Sequence, residues 1–383
     1  VTITRRHLLI LLAAFVISRV MLVGVGVVSQ RVLPSVEGTE YTHLLDGGPA
    51  LDMWYRRDAG FYATIATFGY DWFNDRQPAA DMAFLPLYPA LVGLVSGISG
   101  QGCLISHYLS TCATVGGLIV SNVALLLASL LLYDLGRRHF SPATGLRAAL
   151  LLFVAPNAIF LSGVYTESLF LLLVLLTFAL LDRDQFAGAV VAACAACLTR
   201  SVGVAIVPAL LYWAWHHRSG KQRAISLIGA LVPGVLFALY VLGAGLIVGQ
   251  PLAYFSAYDG IWGRSASPLD AILVYAREPV ALLGWSPSWL DLAATIGCLA
   301  VSIGVLMRWR PRTWGIFSLA ATVIPIASGS LLSMPRFSAV IFPIYLVLAR
   351  WADRWWRAAL VYSMSTALMI LFTARFVTWR WIA

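Results

Sequence analysis

Charge is scarce in this 383-residue chain: Asp, Glu, Lys and Arg make up 11% of it, against 60% apolar residues. A soluble domain carries about a quarter charged residues, so a water-soluble globular fold is excluded. Lysine is scarcer still. Of 26 basic residues all but Lys221 are arginine, and they stand in short clusters between apolar runs rather than along one face. That distribution gives no nucleic-acid surface and is how membrane topology is written. Cysteine is limited to Cys103, Cys112, Cys194, Cys197 and Cys298. The Cys194-x-x-Cys197 pair lies inside an apolar run without histidine partners, so it reads as buried thiols rather than a metal or redox site. The histidines are scattered apart from the adjacent His216 and His217, with no spacing that makes a ligand set. No metal and no cofactor is expected, and no internal repeat breaks the chain into an array.

What the chain has in abundance is apolar runs. The basic start, Arg5-Arg6-His7, places the N-terminus inside, and the first run is too long for a cleaved leader, so 7–28 reads as span 1. Residues 84–98, with Pro86 and Pro89, read as an interfacial or re-entrant helix, because only then does the run 113–133 end inside at Arg137-Arg138-His139. The spans then alternate: 147–162, 167–181, 186–198, 202–215, 224–248, 289–306, 314–328, 337–348 and 358–373. The expectation is a single all-α integral membrane domain over 1–383 with about 11 transmembrane helices. The segment 30–112 would be an outer first loop with interfacial helices, and 249–288 a second large outer loop. On this assignment fifteen of the 26 basic residues but only Asp134, Asp182, Asp184 and Asp353 of 17 acids fall inside.

Eight of the 17 carboxylates lie between Glu37 and Asp81, interleaved with aromatics that suit the headgroup layer. Asp52, Asp71, Asp75 and Asp81 are expected to be solvated or to pair at the surface with Arg56, Arg57 and Arg76, and His43 to be plain loop. Cys103 and Cys112 flank a polar connection assigned to the oxidising outer side, where a disulfide is possible. Asp58, Tyr165, Glu167, Arg200, Gln250, Tyr258, Asp259, Arg264 and Arg336 all fall at outer ends of spans and could converge on one cavity. Each has a plainer reading. Asp58 could cap the helix that begins at Ala59, and Glu167 could cap a span. Arg200 and Arg336 could snorkel to headgroups. Arg19, inside span 1, must face protein or a cavity.

Six segments in order, WYRRDAGFYATIATFGYDW, AFLPLYP, FVAPNAIFLSGVYTESLF, CLTRSVG, GQPLAYFSAYDGIWGR and SGSLLSMPRFSAVIFP, resemble the PIG-V family, GPI mannosyltransferase 2 and its bacterial relatives, within the GT-C glycosyltransferases. The resemblance implies a GT-C type polytopic bundle and a polyprenyl-phosphate-linked sugar donor, usually mannose. It also implies inverting transfer to a lipid or glycan acceptor, without an obligatory metal. Asp58 would be the general base, with Arg200, Arg264 and Arg336 on the donor phosphate. Arg57, Tyr62, Tyr165, Glu167, Gln250 and Tyr258 would shape the substrate grooves. One departure stands out: the family usually has Trp before the motif's Asp, and here Arg57 stands there. The residue chemistry agrees, since one carboxylate can take the acceptor proton while guanidinium groups stabilise a phosphate leaving group. The setting implied is a multi-pass protein of a bacterial plasma membrane, working on the extracytoplasmic face among membrane lipids. The rivals are a secondary transporter or flippase, which would tend to show a repeat and mid-membrane ionisable groups, and a non-catalytic lipid-binding subunit.

Overall fold

The computed structural model describes residues 3–36, 44–45, 47–70, 80–98, 105–106, 109–262, 267–284, 287–309 and 311–382. Thr4 caps α1 (Arg5–Val32), its side chain accepting the His7 N–H at 3.2 Å. Two short helices follow, α2 (Pro49–Asp52) and α3 (Ala59–Phe68), then a 3-10 turn at Ala80–Ala83 and α4 (Leu87–Ile98). A two-residue antiparallel ladder, β1 (Ile105–Ser106) with β2 (Leu109–Ser110), pairs Ile105 with Ser110 and leads into α5 (Thr111–His139). The chain continues through α6 (Pro142–Phe153), α7 (Ala158–Ser162), α8 (Glu167–Leu181), α9 (Phe186–Cys197), a 3-10 turn at Ser201–Ala205, α10 (Ile206–His217) and α11 (Gly220–Ile247). Then come α12 (Ala253–Trp262), α13 (Asp270–Arg277), α14 (Trp289–Arg308), α15 (Thr313–Ala327), α16 (Met334–Ser338), α17 (Pro343–Trp351) and α18 (Trp355–Val377).

Five of these helices, α1, α5, α11, α14 and α18, are long and apolar enough to cross a membrane. A helix of 20 residues, the length of α14, reaches about 30 Å, which matches the hydrocarbon thickness. By the same rise the 12 residues of α4 reach only about 18 Å. Two expected spans are interrupted. The run 147–162 divides into α6 and α7 around Pro156, which lacks an N–H and disfavours helix in the residue before it. The run 337–348 divides likewise, with Pro343 opening α17.

The chain folds into two compact units, one comprising Val1–Thr67, Leu91–Leu175 and Phe342–Ile382, the other Phe68–Ala90 and Leu176–Ile341. In the first, α5 and α6 pack backbone to backbone: a Cβ added at Gly136 would lie 2.7 Å from the Gly145 Cα. Small residues at such a crossing let helices approach without a side-chain layer. The break between α6 and α7 frees carbonyls that neither helix bonds, and neighbouring helices supply the donors. The Arg19 guanidinium of α1 donates to the Phe153 carbonyl at 2.8 Å and to Ser162 Oγ. Ser365 of α18 donates to the Val154 carbonyl at the break at 2.8 Å, and at the far end of α7 Asn122 of α5 donates to the Ser162 carbonyl at 3.0 Å. Irregular backbone is tolerated at membrane depth when protein groups satisfy it in this way. Arg19 therefore has a structural partner, and its cation sits against the carbonyl end of α6, where the helix dipole favours it.

In the second unit α9, α10 and α11 pack together, and α10 and α14 each lie against α15. Gly315 meets the Leu306 backbone, so a Cβ there would stand 2.5 Å from the Leu306 nitrogen. The segment 82–87 is sewn onto this unit. The Phe84 carbonyl accepts from the Tyr70 hydroxyl at 2.6 Å and the Tyr240 hydroxyl at 3.3 Å, while the Leu87 N–H donates to the Leu198 carbonyl at 3.0 Å. Leu85 packs with Val241 and Tyr254. Arginines meet acids assigned inside: Asp134 pairs with Arg137 and Arg138 at 2.7 and 2.9 Å, Asp184 with Arg218 at 2.8 Å, and Asp353 with Arg357 at 3.1 Å.

Candidate active site

Asp58 stands immediately before α3, half-buried, with its carbonyl accepting the Tyr62 N–H at 3.2 Å. The helix begins at Ala59 as the spacing predicts, and Tyr62 and Ile65 face inward while Phe61 is half-buried. The backbone just upstream is unusual. Arg57 has φ +57°, a left-handed conformation that costs a non-glycine residue about 1–2 kcal/mol. Its neighbours hold it there.

The first of these is a buried ion pair. Asp52 and Arg56 lie one turn apart, 0% and 1% exposed, with an oxygen-to-nitrogen distance of 2.6 Å. The other Asp52 oxygen accepts the backbone N–H groups of Leu44 and Leu45 at 2.5 and 3.0 Å. Arg56 donates to the carbonyls of Asp52 (2.6 Å), Tyr55 (3.1 Å) and Val377 (3.4 Å) and to Gln30 Oε1 (3.3 Å). This corrects the expectation that Asp52 and Arg56 pair at the surface. Every guanidinium nitrogen is bonded and both carboxylate oxygens are occupied, the condition under which a buried pair is tolerated. The knot ties α2 to α1 through Gln30 and to the end of α18 through Val377.

The second support comes from the VYTESLF segment. Tyr165 is fully buried, and its hydroxyl donates to the Arg56 carbonyl at 2.8 Å. Its ring meets Phe160 and Phe376 edge-on at 5.1 and 5.9 Å, and its own carbonyl accepts from Ser121 at 3.1 Å. Tyr62 reaches Thr166 across 3.5 Å between hydroxyls, and Glu167, fully buried, opens α8. Tyr55, also buried, has its hydroxyl pushed up to about 12 by burial, against a hydrogen bond with Thr64 that acts the other way. Arg57, Asp58, Tyr62, Tyr165 and Glu167 thus come from segments that meet in one unit.

The third support is the turn after α18. Trp379 has φ +63°, and the bonds Trp379 N–H to the Phe376 carbonyl (3.1 Å) and Arg380 N–H to the Arg375 carbonyl (2.9 Å) close the helix in a Schellman motif. Glycine usually fills that left-handed position. Here a tryptophan does, and both preceding arginines use it: the Arg56 and Arg57 guanidinium carbons lie 5.1 and 5.7 Å from the Trp379 ring. Arg57 also lies 5.1 Å from the Trp381 ring and donates to the Trp379 carbonyl.

In the second unit, Arg200 precedes the 3-10 turn Ser201–Ala205 and places its guanidinium 5.5 Å from the Phe337 ring, next in sequence to Arg336 in α16. Gln250 is exposed on a tight turn after α11, its N–H on the Gly245 carbonyl at 2.8 Å. Tyr258 and Asp259 fall within α12. Arg264, Cys103 and His43, like Asp71, Asp75 and Arg76, lie outside the described residues. Cys112 is disulfide-bonded, and Cys194, Cys197 and Cys298 carry free thiols. Among the described residues no group of three or more His, Cys, Asp or Glu is placed to hold a metal ion. Gln30, Asp52, Arg56, Trp379 and Trp381 are the participants that sequence reasoning missed. The i,i+4 spacing of Asp52 and Arg56 was the one available signal.

The fold and this arrangement define a predominantly helical integral membrane protein in which Asp58 follows a buried Asp52–Arg56 ion pair. The family model described as Mannosyltransferase (PIG-V) matches residues 45–289, more than half of the chain, and the chain belongs to that family. The match takes in Asp58, Tyr165, Glu167, Arg200 and Arg264 and stops short of Arg336. No curated protein matches the chain. Solved structures similar to it include the oligosaccharyltransferase of Archaeoglobus fulgidus in the apo form, with TM-score 0.48, 13% identity, and coverage of 97% of this chain and 56% of that one. The same enzyme with zinc and sulfate gives TM-score 0.43 at 14% identity, covering 97% and 53%. Tethered to an acceptor peptide containing the NVT sequon, it gives 0.44 at 14%, covering 96% and 55%. The chain spans just over half the length of those chains.

Proposed function

We propose that the chain is a GT-C type membrane glycosyltransferase that moves mannose from a polyprenyl-phosphate donor to a lipid-linked or cell-envelope acceptor, with inversion at the anomeric carbon. Asp58 acts as the general base. It takes the proton of the acceptor hydroxyl as that oxygen attacks the anomeric carbon, and the bond to the lipid phosphate breaks on the opposite face. The phosphate leaves as an anion and needs charge stabilisation rather than a proton. Arg200, Arg264 and Arg336 are assigned to that task, since a planar guanidinium can give two hydrogen bonds to one phosphate. Gln250, Tyr258 and Glu167 are assigned to the substrate grooves, while Tyr62 through Thr166 and Tyr165 through the Arg56 carbonyl fix the ground on which Asp58 stands. The loops 30–112 and 249–288 lie on the extracytoplasmic side of a bacterial plasma membrane, with the N-terminus inside.

One observation carries this reading. Within the family-matched region, a half-buried carboxylate sits on a turn whose backbone is immobilised by the Asp52–Arg56 pair and by the Tyr165 hydroxyl. Preorganisation of that kind suits a base that must meet a hydroxyl at hydrogen-bond distance. The test is the purified full-length chain in lipid nanodiscs, supplied with radiolabelled polyprenyl-phosphate mannose and a lipid extract as acceptor pool. Label passing to a new lipid or glycan species supports the reading. A chain that stays folded, binds the donor and leaves the label on it is a binding subunit instead.

A further inference from the structure

Four non-glycine residues among those described have a left-handed backbone: Arg57, Asp184, Ser333 and Trp379. Two of the four, 322 positions apart, are joined by a hydrogen bond and a cation-to-ring contact. They meet one residue before Asp58. A strained backbone persists where its surroundings over-determine it, and such places cluster at functional sites. A bulky ring at a glycine-favoured helix end has no local reason to be there. What Trp379 gains is its face for two consecutive arginines, with Trp381 closing on the second.

We infer that Trp379 and Trp381 are positioning residues for the reaction, acting through Arg57, so that the segment after α18 sets where the Asp58 carboxylate points; this rests on the reading of Asp58 as the base. The order of action is specific. Trp381 and the Trp379 carbonyl fix the Arg57 side chain, a fixed side chain holds Arg57 at positive φ, and that φ determines the direction in which the next residue leaves the turn. Arg56 performs a different task, because its nitrogens are committed to Asp52, Gln30 and backbone carbonyls. The two arginines therefore share a ring and divide the work: Arg56 anchors the turn, and Arg57 aims it. Trp381 is itself held, its carbonyl accepting from Arg375 at 2.9 and 3.2 Å, so the clasp is fixed to α18 and not only to the arginine.

The test uses the full-length chain and two readouts. The first is independent of turnover: Asp58→Cys is labelled with a membrane-impermeant maleimide, with the unsubstituted chain as background, in the presence and absence of Trp379→Gly and Trp381→Ala. Glycine at 379 relieves the left-handed strain but takes the ring from both arginines, so a merely structural role predicts a lowered melting temperature with an unchanged labelling rate on the folded protein. Positioning predicts a labelling rate altered by about fivefold or more on the folded protein, whatever the shift in melting temperature. The second readout is mannose transfer with Asp58 intact, from polyprenyl-phosphate mannose to the lipid-extract acceptor. There kcat falls by about tenfold or more while the donor KM stays within about twofold, and Trp381→Phe, which keeps a ring over Arg57, recovers most of the rate. An unaltered labelling rate overturns the inference whatever the activity. If labelling shifts as stated but Asp58→Asn transfers normally, the positioning stands and the base reading falls.

Discussion

Removing the guanidinium of Arg56 is the perturbation with the largest structural consequence. In Arg56→Ala, Asp52 stays 0% exposed and keeps only the Leu44 and Leu45 N–H groups on one oxygen, with nothing on the other. The carbonyls of Tyr55 and Val377 and the Gln30 amide oxygen lose the Arg56 donor as well, while the Asp52 carbonyl keeps only the Tyr55 N–H. Breaking one side of a buried pair costs about 3–5 kcal/mol, roughly a fifth or more of the about 5–15 kcal/mol that holds a typical domain. Replacing both partners with apolar residues of similar volume, Asp52→Leu with Arg56→Met, removes the stranded charge and is expected to recover at least about 1 kcal/mol of that loss. Asp52→Asn should lie between, because its amide oxygen can still accept from Leu44 and Leu45. The assay is a double-mutant cycle by SDS titration in micelles, followed by far-UV circular dichroism. If Arg56→Ala and the double variant both unfold within about 0.5 kcal/mol of the wild type, as a solvated pair would, the buried knot does not exist.

Other expected outcomes concern the same unit. Arg19→Met leaves the Phe153 carbonyl at the α6 break without its donor and should cost about 1–3 kcal/mol in the same titration; Arg19→Lys, which keeps a cation, should lose less. Gly145→Val places a side chain against the Tyr133 carbonyl and 2.9 Å from the Arg137 nitrogen, forcing α5 and α6 apart at a cost of about 1–3 kcal/mol, visible as a lowered melting temperature in detergent. For Tyr55 the folded hydroxyl lies at about 12 against 10.0 unperturbed. A group whose folded value is raised gives its full stability below the unfolded value and loses it as pH rises through the folded one. The window is therefore pH 10 to 12, and the loss on the order of 3 kcal/mol. Tyr55→Phe should flatten the stability curve in that window, and an unchanged curve would mean that Tyr55 titrates normally.

Much of the architecture is legible in the sequence because membrane solvation simplifies it. Runs of apolar residues long enough for the bilayer became α1, α5, α11, α14 and α18, and the start of α3 at Ala59 followed from the aspartate before it. Proline explains the two runs that were read as continuous and are not. Pro156 and Pro343 were visible, but whether a proline kinks a span or divides it depends on whether neighbours can satisfy the freed carbonyls, and Arg19 and Ser365 lie far away in sequence. The burial of the Asp52–Arg56 pair is hidden in the sequence for the same reason. Four residues apart in a charge-rich loop, they look solvated, and their burial is decided by Gln30 and Val377, the latter 321 positions along the chain. Trp379 gave no signal at all, since a left-handed helix end is read from glycine or asparagine and tryptophan is neither.

The central claim is that a single carboxylate takes the acceptor's proton. Its most direct test is the initial rate of mannose transfer by Asp58→Asn, measured on protein shown by melting temperature to be folded. A base contributes about 10²–10⁴-fold, so the variant should transfer slower by that factor, with donor binding retained, because asparagine keeps the shape and cannot accept the proton. Transfer at the wild-type rate would contradict the account.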